Sequence, residues 1–252
     1  MEEKLLIIDC ETTAGGSGSD VELFEVAFLD EEVSTFQMCP NKPILPSATV
    51  IHGCTNEDVK SYRPIEDVIQ EVYAYLRKTI TPATCVTAYN TSFDFEVIDR
   101  AFKEYLGKSF APKNTFDTLR LAQKIVPVER TGNHRLDTIF YYLFPDELKW
   151  LLSSRNSHSA DTDVDITSRV ISGLWERLEV VEQKSFATIQ EVCDYTNAPL
   201  LLSIWPFGKH RGDLIKDVLK TDSQYVSWFM KQDWCEDSPD LLYTIKKERG
   251  QL

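Results

Sequence analysis

Leu5-Leu6-Ile7-Ile8-Asp9-Cys10-Glu11-Thr12-Thr13 decides how the rest of the chain is read. Four apolar residues followed at once by two acids describe a buried strand that ends in a charged turn. Side chains i and i+2 of a strand point the same way, so Asp9 and Glu11 share one face at the strand's end. Two anions held side by side repel unless a positive group lies between them. A hard divalent cation with oxygen ligands is the usual answer. The plain alternative is a core strand running into a solvated acidic turn, and residues further along the chain decide between the two.

Working outward, Ala14-Gly15-Gly16-Ser17-Gly18-Ser19-Asp20 reads as a turn, and Val21–Leu29 and Glu32–Met38 as two more strands. The stretch from Pro40 to Pro46 is an extended connection. Pro64–Lys78 carries helical apolar spacing, Thr84–Ala88 is a short strand, and Asn90 or Thr91 caps a helix containing Phe93–Leu106. Thr115–Val126 and Arg135–Leu143 read as helical, and Ser159–Leu178 is a strong amphipathic helix. Strands alternating with helices after an opening meander predict an α/β fold. A second unit begins near Ser185, where Thr188-Ile189-Gln190-Glu191 fits a capping box. The expected division is 1–182 and 183–252.

Composition narrows the class. The chain has 252 residues, 42% hydrophobic and 27% charged, which is ordinary for a globular protein. No apolar run is long enough to span a bilayer, so no membrane partner is expected. Met1-Glu2-Glu3-Lys4 lacks the basic region of a signal peptide, and the six cysteines show no paired spacing. A reduced cytoplasmic location is the expectation. A net charge of −13 argues against coating nucleic acid by bulk attraction, though not against gripping one end of it at a local metal site. From Leu200 onward eight basic residues balance eight acidic ones, so the acidic excess lies before the tail.

Two further segments supply oxygen and nitrogen ligands. In Asn90-Thr91-Ser92-Phe93-Asp94, the carboxylate of Asp94 falls in the first turn of a helix, where the helix dipole favours it. In His158-Ser159-Ala160-Asp161-Thr162-Asp163, a histidine precedes a helix-borne carboxylate, the arrangement of a general base beside a metal ligand. Each segment alone has an ordinary reading, a helix-start acid or a surface histidine.

The order Asp-x-Glu, Asp, His-x-x-x-x-Asp resembles the DEDDh-type (DnaQ-like) 3′→5′ exonucleases. Asp9 to Thr13, Asn90 to Asp94 and His158 to Asp163 match their three motifs. Glu25-Val26-Ala27, Ile51-His52-Gly53-Cys54-Thr55, Phe116 to Leu119 and His134 to Asp137 match the segments between. The resemblance covers roughly residues 4 to 180. Near the end, Pro206-Phe207-Gly208-Lys209-His210-Arg211-Gly212 resembles the small C-terminal module of exonuclease X-like proteins.

The resemblance implies a ribonuclease H-like mixed five-stranded sheet with helices on both faces, plus that small module. It implies two Mg²⁺ or Mn²⁺ ions held by Asp9, Glu11, Asp94 and Asp163, with His158 as general base, hydrolysing the 3′-terminal phosphodiester of DNA to nucleoside 5′-monophosphates. The backbone of Thr12 and Thr13, with Asn90, Phe93 and His52, is expected near the terminal nucleotide. Lys209 and Arg211 are candidates for phosphate contact, against plain solubility. Trp205, Phe207, Tyr225 and Trp228 are expected to form a mini-core. RNA 3′-end trimming, and an inactive nuclease fold that docks a protein partner through the module, remain as alternatives. One departure bears on substrate: the apolar residue that the family places after its Asp-x-Glu-Thr-Thr is replaced here by Ala14-Gly15-Gly16.

Overall fold

A computed structural model describes residues 4–16, 20–154, 159–181, 183 and 185–252. Strands β1 (Lys4–Thr12), β2 (Leu23–Leu29) and β3 (Val33–Gln37) form an antiparallel meander. β4 (Thr84–Ala88) and β5 (Thr115–Asp117) add in parallel on the other side of β1, giving the order β3-β2-β1-β4-β5. The helices of this part are α1 (Pro46–His52), α2 (Ile65–Thr79), α3 (Thr91–Leu106), α4 (Thr118–Ile125), α5 (Val128–Thr131), α6 (Leu136–Leu143), α7 (Leu148–Ser154), α8 (Ala160–Val181) and α9 (Ile189–Asn197). This is the mixed five-stranded α/β architecture that the sequence implied.

The two faces of β1 separate the cores. Leu6, Ile8 and Cys10 pack with Val68, Ile69 and Val72 of α2 and Val97, Ile98 and Phe102 of α3. Ile7 packs on the opposite face with Leu121 of α4, Ile139 and Phe140 of α6, and Val164, Val170 and Leu174 of α8. The period of two along β1 therefore sends Asp9 and Glu11 to the α8 face. Helices cover both faces because parallel crossovers place them there.

Three local expectations are corrected. Thr115–Val126 is not one helix: Thr115, Phe116 and Asp117 pair with Val86, Thr87 and Ala88, and only then does α4 begin. Asp117 makes the switch by accepting the Arg120 N–H at 3.2 Å. The proline-punctuated connection gives way at Pro46 to α1, whose first turn needs no N–H from proline. That helix closes at Gly53, in the left-handed region with φ +76°. The division at 182/183 also moves, because the compact units are Met1–Thr196 and Asn197–Leu252. α9 belongs to the first: Val192 and Cys193 are buried with α4 and α8, and Arg120 and Lys124 of α4 donate to the final carbonyls of Thr196 and Tyr195. Cations at a helix C-terminus also favour its dipole.

The second unit holds α10 (Ile215–Thr221), α11 (Ser223–Phe229) and α12 (Pro239–Glu248) around Trp205, Ile215, Val218, Val226, Phe229, Leu241 and Ile245. The Phe207–Arg211 turn is closed by Trp205 N–H to Asp213 O at 2.8 Å and Gly212 N–H to Trp205 O at 2.9 Å. Gly208 sits there at φ +64°, and a Cβ on it would meet the Tyr225 hydroxyl at 2.8 Å. Only glycine satisfies both conditions.

Candidate active site

The last residue of β1 with a partner on β4 is Ile7, opposite Thr87. Asp9 and Glu11 lie past that point, where β4 turns away into α3 and a cleft opens at the strand ends. On the other side they remain paired to β2, opposite Ala27 and Glu25, and the register shifts between Glu11 and Thr12. Irregularities of this kind re-aim side chains beside functional sites. Asp163, in the first turn of α8, completes a cluster: one carboxylate oxygen from each of Asp9, Glu11 and Asp163 lies within 4.8 Å of the others. All three are half-buried and line an open pocket of about 240 Å³ with Cys10, Ile51, Arg135, Leu136 and Asp137.

Three carboxylates so close, with one guanidinium in their pocket, form an all-oxygen donor set that fits a hard divalent cation. Asp94 approaches from the opposite face of β1. It is 4% exposed and hydrogen-bonds the backbone and thiol of Cys10. Burial raises its carboxyl to about 8, and the bonds from Cys10 offset only part of that. Burial also pushes the Cys10 thiol well up. The structure thus gathers three of the four expected acids in one cluster and sets the fourth behind the strand. His158 lies outside the described residues.

Glu25 is a site residue that sequence reading passed over as part of a matching strand. It is 5% exposed; one oxygen accepts the Ala160 N–H at 2.8 Å and the other accepts from Gln37 Nε2 at 2.7 Å. A β2 carboxylate therefore fixes the first residue of α8, and through it the turn that carries Asp163. The signal available in the sequence was a carboxylate inside an otherwise apolar strand. Asp117 does similar work at α3, accepting from the Thr91 N–H at 3.1 Å and the Thr91 hydroxyl at 2.9 Å. Asp161 and Asp165 are exposed on α8, the first bonded to the Thr162 N–H.

Several residues expected near a nucleotide have structural partners. Thr12 donates its hydroxyl to the Ala14 carbonyl. The N–H of Thr13 bonds Glu22 O, its carbonyl accepts from Leu45, and its hydroxyl accepts from Glu22 N–H. The Thr13 N–H is thereby committed to the turn, because a buried backbone donor cannot be left unpaired. His52 is buried, accepts the Cys54 N–H at 3.1 Å and meets the Phe24 ring edge-on. Asn90 precedes α3, its carbonyl accepting from Phe93 N–H, and the half-buried Phe93 ring packs on the core. Ile51, by contrast, is 57% exposed and lines the pocket.

In the second unit, Lys209 pairs with Asp222 at 2.7 Å, while Arg211 is exposed with no ion pair among the described residues. Trp205, Phe207 and Tyr225 join the expected mini-core, but Trp228 is 48% exposed beside Trp234.

Residues 6–171 match the family model described as Exonuclease. The chain belongs to the exonuclease family. Residues 206–233 of this exonuclease match a second model, Exodeoxyribonuclease X-like C-terminal. Exodeoxyribonuclease 10 of Escherichia coli K12 is 27% identical over 245 residues, covering 96% of the exonuclease and 97% of that relative. The PolC-type DNA polymerase III of Bacillus subtilis is 30% identical over 145 residues, 55% of the exonuclease but 10% of the polymerase. Escherichia coli exonuclease I, solved with a dA16 oligonucleotide, superposes with a TM-score of 0.57 at 17% identity. The match covers 77% of the exonuclease and 43% of that chain, and it shows a shared fold. No helix among the described residues is long and apolar enough to cross a membrane.

Proposed function

We propose that this exonuclease is a metal-dependent 3′→5′ exodeoxyribonuclease of the cytoplasm that hydrolyses 3′-terminal phosphodiesters of DNA and releases nucleoside 5′-monophosphates. The observation that carries the reading is the convergence of Asp9, Glu11 and Asp163 within 4.8 Å at the end of β1 and the start of α8. The choice of DNA draws support from the exodeoxyribonuclease whose length the chain nearly spans.

Asp9, Glu11 and Asp163 would hold one Mg²⁺ or Mn²⁺ ion, and a second would be held by Asp9 with Asp94 once the Asp94 carboxyl turns from Cys10 toward it. Bound there, a pair of ions stabilises the attacking and leaving oxygens of an in-line displacement. His158 takes the proton of the attacking water, a role that suits an imidazole five residues before Asp163 in the chain. Glu25 keeps Asp163 in place through the Ala160 N–H. Ile51 gives the terminal base an apolar surface, which compensates for the missing apolar side chain at Ala14-Gly15. Phe93, Asn90 and the Thr12–Thr13 backbone are assigned to the terminal nucleotide, with His52 holding the turn after α1. Lys209 and Arg211 are available to phosphates on the second unit, Lys209 by exchanging its Asp222 partner.

The test is digestion of 3′-labelled and 5′-labelled single-stranded DNA and RNA with Mg²⁺ or Mn²⁺, beside Asp9→Ala and His158→Ala proteins. Mononucleotides released from the 3′ end of DNA, and lost in Asp9→Ala, are expected. Preferential release from RNA would replace the substrate. No release from any folded preparation would leave a nuclease fold used for docking a partner.

A further inference from the structure

The pocket built by Asp9, Glu11 and Asp163 is lined by one basic side chain among the described residues, Arg135. Asp137 adds another carboxylate to the same wall. A substrate that is itself a polyanion has to enter this wall of negative charge. Arg135 is exposed and forms no ion pair among the described residues, although acids line its pocket. Its guanidinium presents paired donors suited to phosphate.

The segment that carries it is braced. The Arg135 N–H donates to Asn133 Oδ1 at 2.9 Å, and its carbonyl accepts the Ile139 N–H at 3.0 Å as α6 begins. The His134 ring bonds the Val126 carbonyl at 2.8 Å, and the His134 carbonyl accepts the Tyr89 hydroxyl at 2.7 Å. Tyr89 directly follows β4, the strand that leads to Asp94. Four hydrogen bonds at His134 and Arg135 hold this backbone at the pocket rim before substrate arrives, which lowers the ordering cost of a contact there.

We infer that Arg135 binds the substrate's backbone at the phosphate next to the scissile one, and so orients the 3′ end against the carboxylate cluster. The assignment rests on the exonuclease reading above. The scissile phosphate belongs at the carboxylates, and a pocket of about 240 Å³ holds little more than one nucleotide, so a cation at its rim meets the next phosphate along. Arg135 is here a binding and positioning residue; it takes no part in bond breaking.

Steady-state digestion of single-stranded DNA in Mg²⁺ tests it, using oligonucleotides with one neutral methylphosphonate at the second linkage from the 3′ end. Wild-type protein, Arg135→Gln and Arg135→Lys are compared. Loss of one charge-assisted contact is expected to lower kcat/KM by about 10- to 100-fold in Arg135→Gln, mostly through KM. Lysine should recover part of it. The neutral linkage should cost the wild type a similar factor and cost Arg135→Gln almost nothing more, because both remove the same contact. The slope of log kcat/KM against log salt should shrink by about 0.7 in the glutamine variant. Independent, multiplying losses, or no wild-type response to the neutral linkage, would overturn the assignment while leaving the exonuclease intact. A wild-type protein inactive on every substrate would overturn both.

Discussion

The two compact units handle charge in opposite ways. In the first, Asp9, Glu11 and Asp163 crowd together with Arg135 as the basic side chain of their pocket. In the second, Lys209 and His210 of the conspicuous turn are answered within a few ångströms. His210 sits between Asp213 at 2.8 Å and Asp222 at 3.1 Å, and Lys209 meets Asp222 at 2.7 Å. Like charges crowded together repel and are tolerated where a ligand joins them; opposite charges paired hold a turn in shape. The comparison separates a place built to bind from a place built to fold, and it can be broken at four points.

The largest effect belongs to the first unit. Asp9→Ala or Asp163→Ala should reduce turnover by on the order of a thousandfold, the scale of losing a preorganised electrostatic group. Thermal melting without metal should not fall, since a repulsion is relieved. Asp222→Ala should do the reverse, leaving turnover near wild type and lowering the stability of the second unit. A metal-free melting temperature that drops in Asp9→Ala would erase the contrast.

Glu25→Ala comes next. Removing the carboxylate that fixes Ala160 should cost about 10- to 100-fold in activity and raise the metal concentration needed for half-maximal rate, as losses of supporting groups do. It also orphans a buried N–H, for about 1–3 kcal/mol of stability. An unchanged metal requirement would mean that α8 holds Asp163 without help from β2.

Gly208→Ala probes the turn of the second unit. The left-handed backbone alone costs about 1–2 kcal/mol for a residue with a Cβ. The Tyr225 hydroxyl must also move, because it lies 2.8 Å from where that carbon would be. Hydrogen exchange on the full-length protein should show weakened protection confined to residues after Thr196, with protection of β1 and α8 unchanged.

The smallest effect is a pH dependence. Hydrogen bonds to Asp213 and then Asp222 raise His210 above its ordinary 6.5. A raised histidine contributes stability that is complete below the unfolded value and fades as pH rises through the folded one. Protection of the second unit should therefore decline from mildly acidic to alkaline pH, and His210→Gln should flatten the profile. Asp222 behaves in the opposite sense: Lys209 and His210 hold it down at about 2. Its contribution is present above 3.8 and is lost as pH falls from there through about 2. A profile that rises with pH would show that His210 is not the charged member of the turn.

What was legible in the sequence follows from range. Asp9 and Glu11 are two residues apart on a strand, and Asp163 lies in the first turn of a long apolar-striped helix, so local periodicity places each. The same reasoning failed at Thr115–Asp117, where a three-residue strand is too short to show a period before α4 begins. It failed again at α1, because prolines mark extended chain and helix starts alike. The capping box at Thr188 suggests, from sequence, the start of a new unit. The Thr188 hydroxyl does accept the Glu191 N–H at 3.3 Å, but the helix it starts closes the first core.

The sequence by itself determined the α/β class, the family motifs and the acids proposed to bind metal, because strand and helix periods and motif offsets are properties of neighbouring residues. Only the tertiary structure decided which acids meet. Asp94 comes up behind β1 beside Cys10, Glu25 reaches from β2 to Ala160, and Lys209 spends its charge on Asp222. Those outcomes depend on burial and on charges brought together from distant parts of the chain, and neither quantity exists before the cores close.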